Sequence, residues 1–142
     1  MHQVVRRALT GVAAGLLIAV AQPVVAHADV AERCSGPRAG ESGTYRTCIY
    51  ASVDVVRART YILTRACDSP TGCAYQANPR LYVELLRNGV KVNAAAITYP
   101  VGVQGRFEVV VYYPNERHST DRYSSVGRAT QGLSVSSPDI IV

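Results

Sequence analysis

Within residues 53–66 two kinds of side chain alternate from residue 56 onward. Val56, Ala58, Thr60, Ile62 and Thr64 are small or β-branched, and Arg57, Arg59, Tyr61, Leu63 and Arg65 stand between them. A period of two puts the first set on one face of a strand and the second on the other. A helix, which repeats about every 3.6 residues, would scatter both sets around its circumference. The same period recurs in residues 44–51, where Tyr45, Thr47 and Ile49 share a face. Segments 81–86 and 90–99 flank Asn88-Gly89, a pair suited to a two-residue hairpin turn because both residues tolerate positive φ. Segment 106–113 ends at Pro114, and weaker patterns cover 123–130, 133–136 and 140–142. Beyond residue 28 the chain has 15 Val, 5 Ile and 8 Thr against only 5 Leu, side chains that fit a pleated surface. No segment has the apolar period of a helix, and Ala94-Ala95-Ala96 continues a strand pattern. About seven short strands separated by turn residues predict an all-β fold. The expected form is an antiparallel two-sheet sandwich, immunoglobulin-like in architecture, with an open barrel as the alternative. The Cys-Trp-Cys core of antibody domains is absent, since the chain has no Trp, so the analogy concerns architecture and carries no function.

The N-terminus predicts export. Arg6 and Arg7 precede an apolar stretch over residues 8–21, Gln22-Pro23 breaks it, and Val25-Ala26-His27-Ala28 follows. This is the order of a secretory signal, with small residues at the cleavage site. Residues 1–28 are read as a signal peptide, 29–43 as an N-terminal arm tied by a disulfide, and 44–142 as the β-sandwich domain. No apolar run reaches the roughly 18–20 residues of a membrane span, so no membrane association is expected after cleavage at Asp29. Arg6-Arg7 leaves both the general secretory and the twin-arginine route open. The remaining 114 residues carry 13 basic and 10 acidic side chains. That balance is too mild for a nucleic-acid partner. The expected address is extracellular.

All four cysteines, Cys34, Cys48, Cys67 and Cys73, lie beyond the signal. An even number in an exported chain reads as two disulfides, for which three pairings exist. Pairing of neighbours, Cys34–Cys48 and Cys67–Cys73, is expected. Asp68-Ser69-Pro70-Thr71-Gly72 has turn composition, and the Gly-rich stretch 35–43 would be tied to the first strand. The spacings form no C-x-x-C pair and His118 is the one histidine beyond the signal, so neither a structural metal nor a cofactor is expected.

The signal ending Ala26-His27-Ala28, the strand start Thr44-Tyr45-Arg46-Thr47-Cys48 and the Arg- and Val-rich strands resemble the small secreted proteins common in actinomycetes. That resemblance implies secretion and a β-fold, and no activity. The spacing of Cys34, Cys48 and Cys67 is also similar to that of the first three cysteines of the secreted subtilisin inhibitors of Streptomyces. Cys73 comes too early for their fourth, and the residues after Cys67 do not match their reactive loop, so no site carries across.

Catalytic candidates are few. His118 with Glu108 and Arg106 supplies the residue types of a small secreted ribonuclease, without a family motif. Glu84, Glu108 and Glu116 are scattered, and no G-x-S-x-G, G-x-G-x-x-G or P-loop is present. The face carrying Arg57, Arg59, Tyr61 and Arg65 is the strongest binding candidate. Alternate residues of a strand lie roughly 7 Å apart on one side. Guanidinium groups around a tyrosine suit a polyanion or an acidic sugar. The sequence therefore predicts a secreted, non-catalytic extracellular binding or structural module whose partner is a cell-wall polymer or another secreted protein. The alternatives are a ribonuclease-like hydrolase using His118 and Glu108, or a protease inhibitor.

Overall fold

The computed structural model describes residues 31–66, 79–116, 118, 120–130 and 132–142. The expected signal peptide and the expected Cys67–Cys73 bridge lie outside these residues. Among the described residues every regular element is a strand: β1 (Ala31–Cys34), β2 (Arg38–Ala39), β3 (Gly43–Ala51), β4 (Val55–Thr64), β5 (Arg80–Arg87), β6 (Val90–Thr98), β7 (Gly105–Pro114), β8 (Arg122–Ala129), β9 (Val135–Ser136) and β10 (Ile140–Ile141). The strands form two antiparallel sheets. The first has the order β1-β3-β4-β7 with β2 also on β3, and the second the order β10-β8-β5-β6 with β9 also on β8.

The six long strands, β3 to β8, fall on six of the segments expected to be strands, β8 on one of the weaker ones. In β4 the predicted faces hold: Val56, Ala58, Thr60, Ile62 and Thr64 are buried, while Arg57, Arg59 and Tyr61 are half-exposed and Leu63 is exposed. Tyr45, Thr47 and Ile49 of β3 are fully buried as well. Asn88 and Gly89 have φ of 51° and 79°, the left-handed pair that joins two strands with the correct twist. The arm also holds two short strands that no alternation marks. Residues 31–34 and 38–39 pair with β3, Ala31 opposite Ala51 and Arg38 opposite Tyr45. The Gly-rich stretch gave no periodic signal. Pairing here is imposed by the unpaired backbone edge of β3, whose polar groups require partners.

Inward side chains of both sheets meet in one cluster. Tyr45, Ile49, Val56 and Ile62 come from the first sheet and Leu81, Val83, Leu85, Tyr123 and Ile140 from the second. A polar thread runs through it. The Thr60 hydroxyl donates to Thr47 Oγ1 (3.0 Å), which lies 2.9 Å from Ser125 Oγ, and all three side chains are fully buried. Each hydroxyl has a partner, so the thread is tolerated in an apolar core. Gly127 of β8 sits above it, and a Cβ there would stand 2.2 Å from Thr60 Oγ1. The chain uses glycine at this point because the two sheets approach too closely for a side chain.

The β7–β8 corner is closed by a charged network. Arg87 reaches Asp121 through Nε (2.9 Å) and Nη2 (2.8 Å), and Glu116 through Nη1 (2.8 Å). Asn88 donates to Asp121 Oδ1 (3.0 Å). The Asn88 amide and the Arg87 guanidinium hold the Asp121 carboxyl below its ordinary value of 3.8, against the opposing effect of its burial. A carboxylate depressed in the folded state stabilises the fold above its unfolded pKa, and that contribution is lost as pH falls through the folded value. Urea unfolding should therefore show the wild type losing stability as pH drops below the ordinary carboxylate range, with Asp121→Asn less stable at neutral pH and less dependent on acid. Parallel pH profiles for the two proteins would show that this carboxylate contributes nothing.

Candidate functional site: the outer face of the first sheet

The antiparallel register decides which outward side chains become neighbours. Arg57 lies opposite Tyr50 on β3 and Tyr112 on β7; Arg59 lies opposite Cys48 and Val110; Tyr61 lies opposite Arg46 and Glu108. On the far side of β3, Glu32 of β1 pairs with Tyr50, and Cys34 with Cys48. β4 is flanked by strands on both sides, so its outward residues occupy the middle of the face.

A lattice of ion pairs and ring contacts results. Glu32 Oε1 binds Arg59 Nη2 at 2.8 Å and lies 3.7 Å from Arg57 Nη2. Glu108 Oε2 binds Arg59 Nη1 at 3.3 Å and Arg106 Nη2 at 3.0 Å. The Arg57 guanidinium stands 4.6 Å from the centre of the Tyr50 ring. Those of Arg106 and Arg59 stand 4.2 and 5.8 Å from the centre of Tyr61. The aromatic faces favour the cations and hold the guanidinium planes in place. The Nε atoms of Arg57 and Arg59 are buried and have no hydrogen-bond partner.

Three of the sequence candidates, Arg57, Arg59 and Tyr61, are thus brought together. Arg65 lies past the end of β4 and is exposed, outside this lattice. Tyr50, Arg106, Glu32 and Glu108 complete it. The alternation of 44–51 marks Tyr50 as outward, but nothing local says that β4 lies between β3 and β7, or that the arm delivers Glu32. The face is also less cationic than three arginines on one strand suggested, because two carboxylates lie among them.

The Cys34–Cys48 disulfide is formed, joining residues directly opposite each other on β1 and β3. The bridge fastens the arm, and with it Glu32, to the sheet. The Glu32 carboxylate and both sulfurs lie within 4.8 Å of one another. A disulfide sulfur is not the thiolate that binds a metal, so this group holds no ion while the bridge is intact.

His118 and Glu108 are not brought together. Glu108 lies within β7, six residues before its end at Pro114, a path of roughly 20 Å along an extended strand. It is engaged by Arg59 and Arg106. His118 lies beyond that end, exposed, 3.6 Å from Glu116. The neighbouring Asp121 carboxylate is occupied by Arg87 and Asn88. No family model matches the chain, and no curated protein or solved structure matches it.

Proposed function

We propose that the protein is a secreted, non-catalytic binding module whose working surface is the outer face of the first sheet, and that its ligand is an acidic polymer of the cell wall. The observation that carries this reading is the Arg57–Arg59–Arg106 lattice around Tyr50 and Tyr61. These guanidinium groups are already ordered, so little side-chain entropy is lost when they grip an anion. Glu32 and Glu108 act as internal occupants that an incoming carboxylate or phosphate exchanges with. The two sheets form an immunoglobulin-like sandwich. Supporting this, the first, second and fifth long strands lie in one sheet and the third, fourth and sixth in the other, a Greek-key distribution. The signal-like N-terminus and the Cys34–Cys48 bridge support an oxidising, extracellular address.

Sedimentation of the protein with cell-wall material tests the proposal. Binding should weaken as salt is raised and fall about tenfold or more when Arg57 and Arg59 are both changed to Ser, as expected for lost charge-assisted bonds. Glu32→Gln should tighten it, since the arginines are then released from an internal competitor. Absence of binding by the parent, or unchanged binding in the double variant, overturns the proposal.

A further inference from the structure

The outer face of the second sheet carries a second arrangement of arginine and tyrosine, and its one described carboxylate there, Glu84, pairs with Lys91 and not with an arginine. Tyr82 of β5 is outward-facing and lies opposite Arg128 on β8 and Ala96 on β6. The Arg128 guanidinium stands 4.2 Å from the centre of the Tyr82 ring, and that of Arg80, two residues earlier on the same strand, 5.4 Å. Arg57, Arg59, Arg87 and Arg106 all pair with carboxylates. Among the described residues Arg80 and Arg128 pair with none.

Beside them the sheet is hollowed. The next row across the strands is Ala94–Glu84–Val126. Its small side chains, with Ala96, leave a cavity of about 200 Å³, bounded by Tyr82, Glu84, Arg128 and Ser134. Pockets for drug-sized ligands measure roughly 300–1,000 Å³, so this space suits a single ring rather than an extended molecule. Alanine and valine offer an apolar floor. The Arg128 and Ser134 residues also line the cavity, as does Glu84, whose charge is offset by Lys91 Nζ at 3.4 Å.

We infer that this cavity binds one sugar-sized ring bearing a single anionic group, with the ring over Ala94, Ala96 and Val126, the anion on Arg128, and a hydroxyl donated to Glu84. An unpaired guanidinium beside an apolar floor matches a ligand that is charged at one end and flat elsewhere. The surface is separate from the lattice around Arg59, and the inference does not depend on that lattice binding anything.

The test is titration of the isotope-labelled protein with glucuronate, glucose 6-phosphate and glucose, followed by amide chemical shifts. Glucuronate or glucose 6-phosphate should shift the amides of residues 82–84, 94–96 and 126–128. Binding by glucuronate alone assigns the anion as a carboxylate; binding by both shows that the Arg128 guanidinium reads charge alone. Glucose should bind at least about tenfold more weakly, the factor one charge-assisted contact supplies. Arg128→Gln should reduce anion affinity about tenfold, Ala94→Leu should abolish binding by filling the floor, and the Arg57→Ser, Arg59→Ser variant should bind as the parent does. No binding of either anion, equal affinity for glucose, or shifts confined to the outer face of the first sheet would overturn the inference.

Discussion

Replacing Gly127 by alanine is expected to destabilise the protein by about 3 kcal/mol, combining overpacking with disturbance of a buried hydroxyl. For a domain of about 100 residues that corresponds to a fall in Tm of roughly 15 °C. Gly127 is not among the glycines with positive φ, so the loss comes from space and not from backbone conformation. The new methyl group would meet Thr60 Oγ1 at 2.2 Å, Thr60 Cγ2 at 2.8 Å and Thr47 Cβ at 2.9 Å. These atoms belong to the first sheet, so either the sheets separate or the Thr60–Thr47–Ser125 thread breaks. Calorimetry of a double-mutant cycle locates the cause. In a Thr60→Ala background, where the two nearest of those atoms are gone, Gly127→Ala should do much less harm. Equal losses in both backgrounds would show that the clash is not the source, since neighbouring sites that share a cause are non-additive.

The second large effect is expected at the Cys34–Cys48 bridge. Closing a loop of about 15 residues contributes about 3 kcal/mol in the chain-entropy description, and the sequence separation here is 14. Changing both cysteines to serine should lower the urea midpoint by a corresponding amount. The loss should also be visible locally. β1 has four residues and pairs with β3 alone, so its amide hydrogens should exchange much faster in the variant, while those of β4 and β5 change only with global stability. With β1 loosened, Glu32 leaves Arg59 and Arg57, and wall binding should move in the same direction as in Glu32→Gln. A variant with parental stability and a protected β1 would show that backbone pairing alone holds the arm.

The legibility of the molecule follows the range of the interactions involved. β4 could be read residue by residue because a half-buried strand must alternate, and the Asn88-Gly89 hairpin could be read because its turn depends on two adjacent residues. The pairing of Cys34 with Cys48 was also within reach, since short closed loops are the easier ones to form. Arg57, Arg59 and Tyr61 share a face by the same alternation. Their partners do not follow from it. Glu32 lies 27 residues from Arg59 by number and Glu108 lies 49. Each arrives only because β1 and β7 take particular places in the sheet. The arm carried no pattern at all, as a two- to four-residue edge strand is defined by the edge it covers and not by its own side chains.

By itself the sequence determined the six long strands, the buried and exposed faces of β3 and β4, one tight turn and the neighbour pairing of Cys34 and Cys48. All of these depend on chain geometry and solvent exposure within a few residues or a short loop. Strand order and register were decided only by the tertiary structure, because backbone hydrogen bonds between strands are the same whatever the side chains are. Burial of one shared core selects among the arrangements. That selection placed two carboxylates among the arginines of the first sheet, whereas among the described residues none pairs with Arg80 or Arg128 of the second. Local alternation is the same in both places, so the difference in their chemistry lay beyond what the sequence could state.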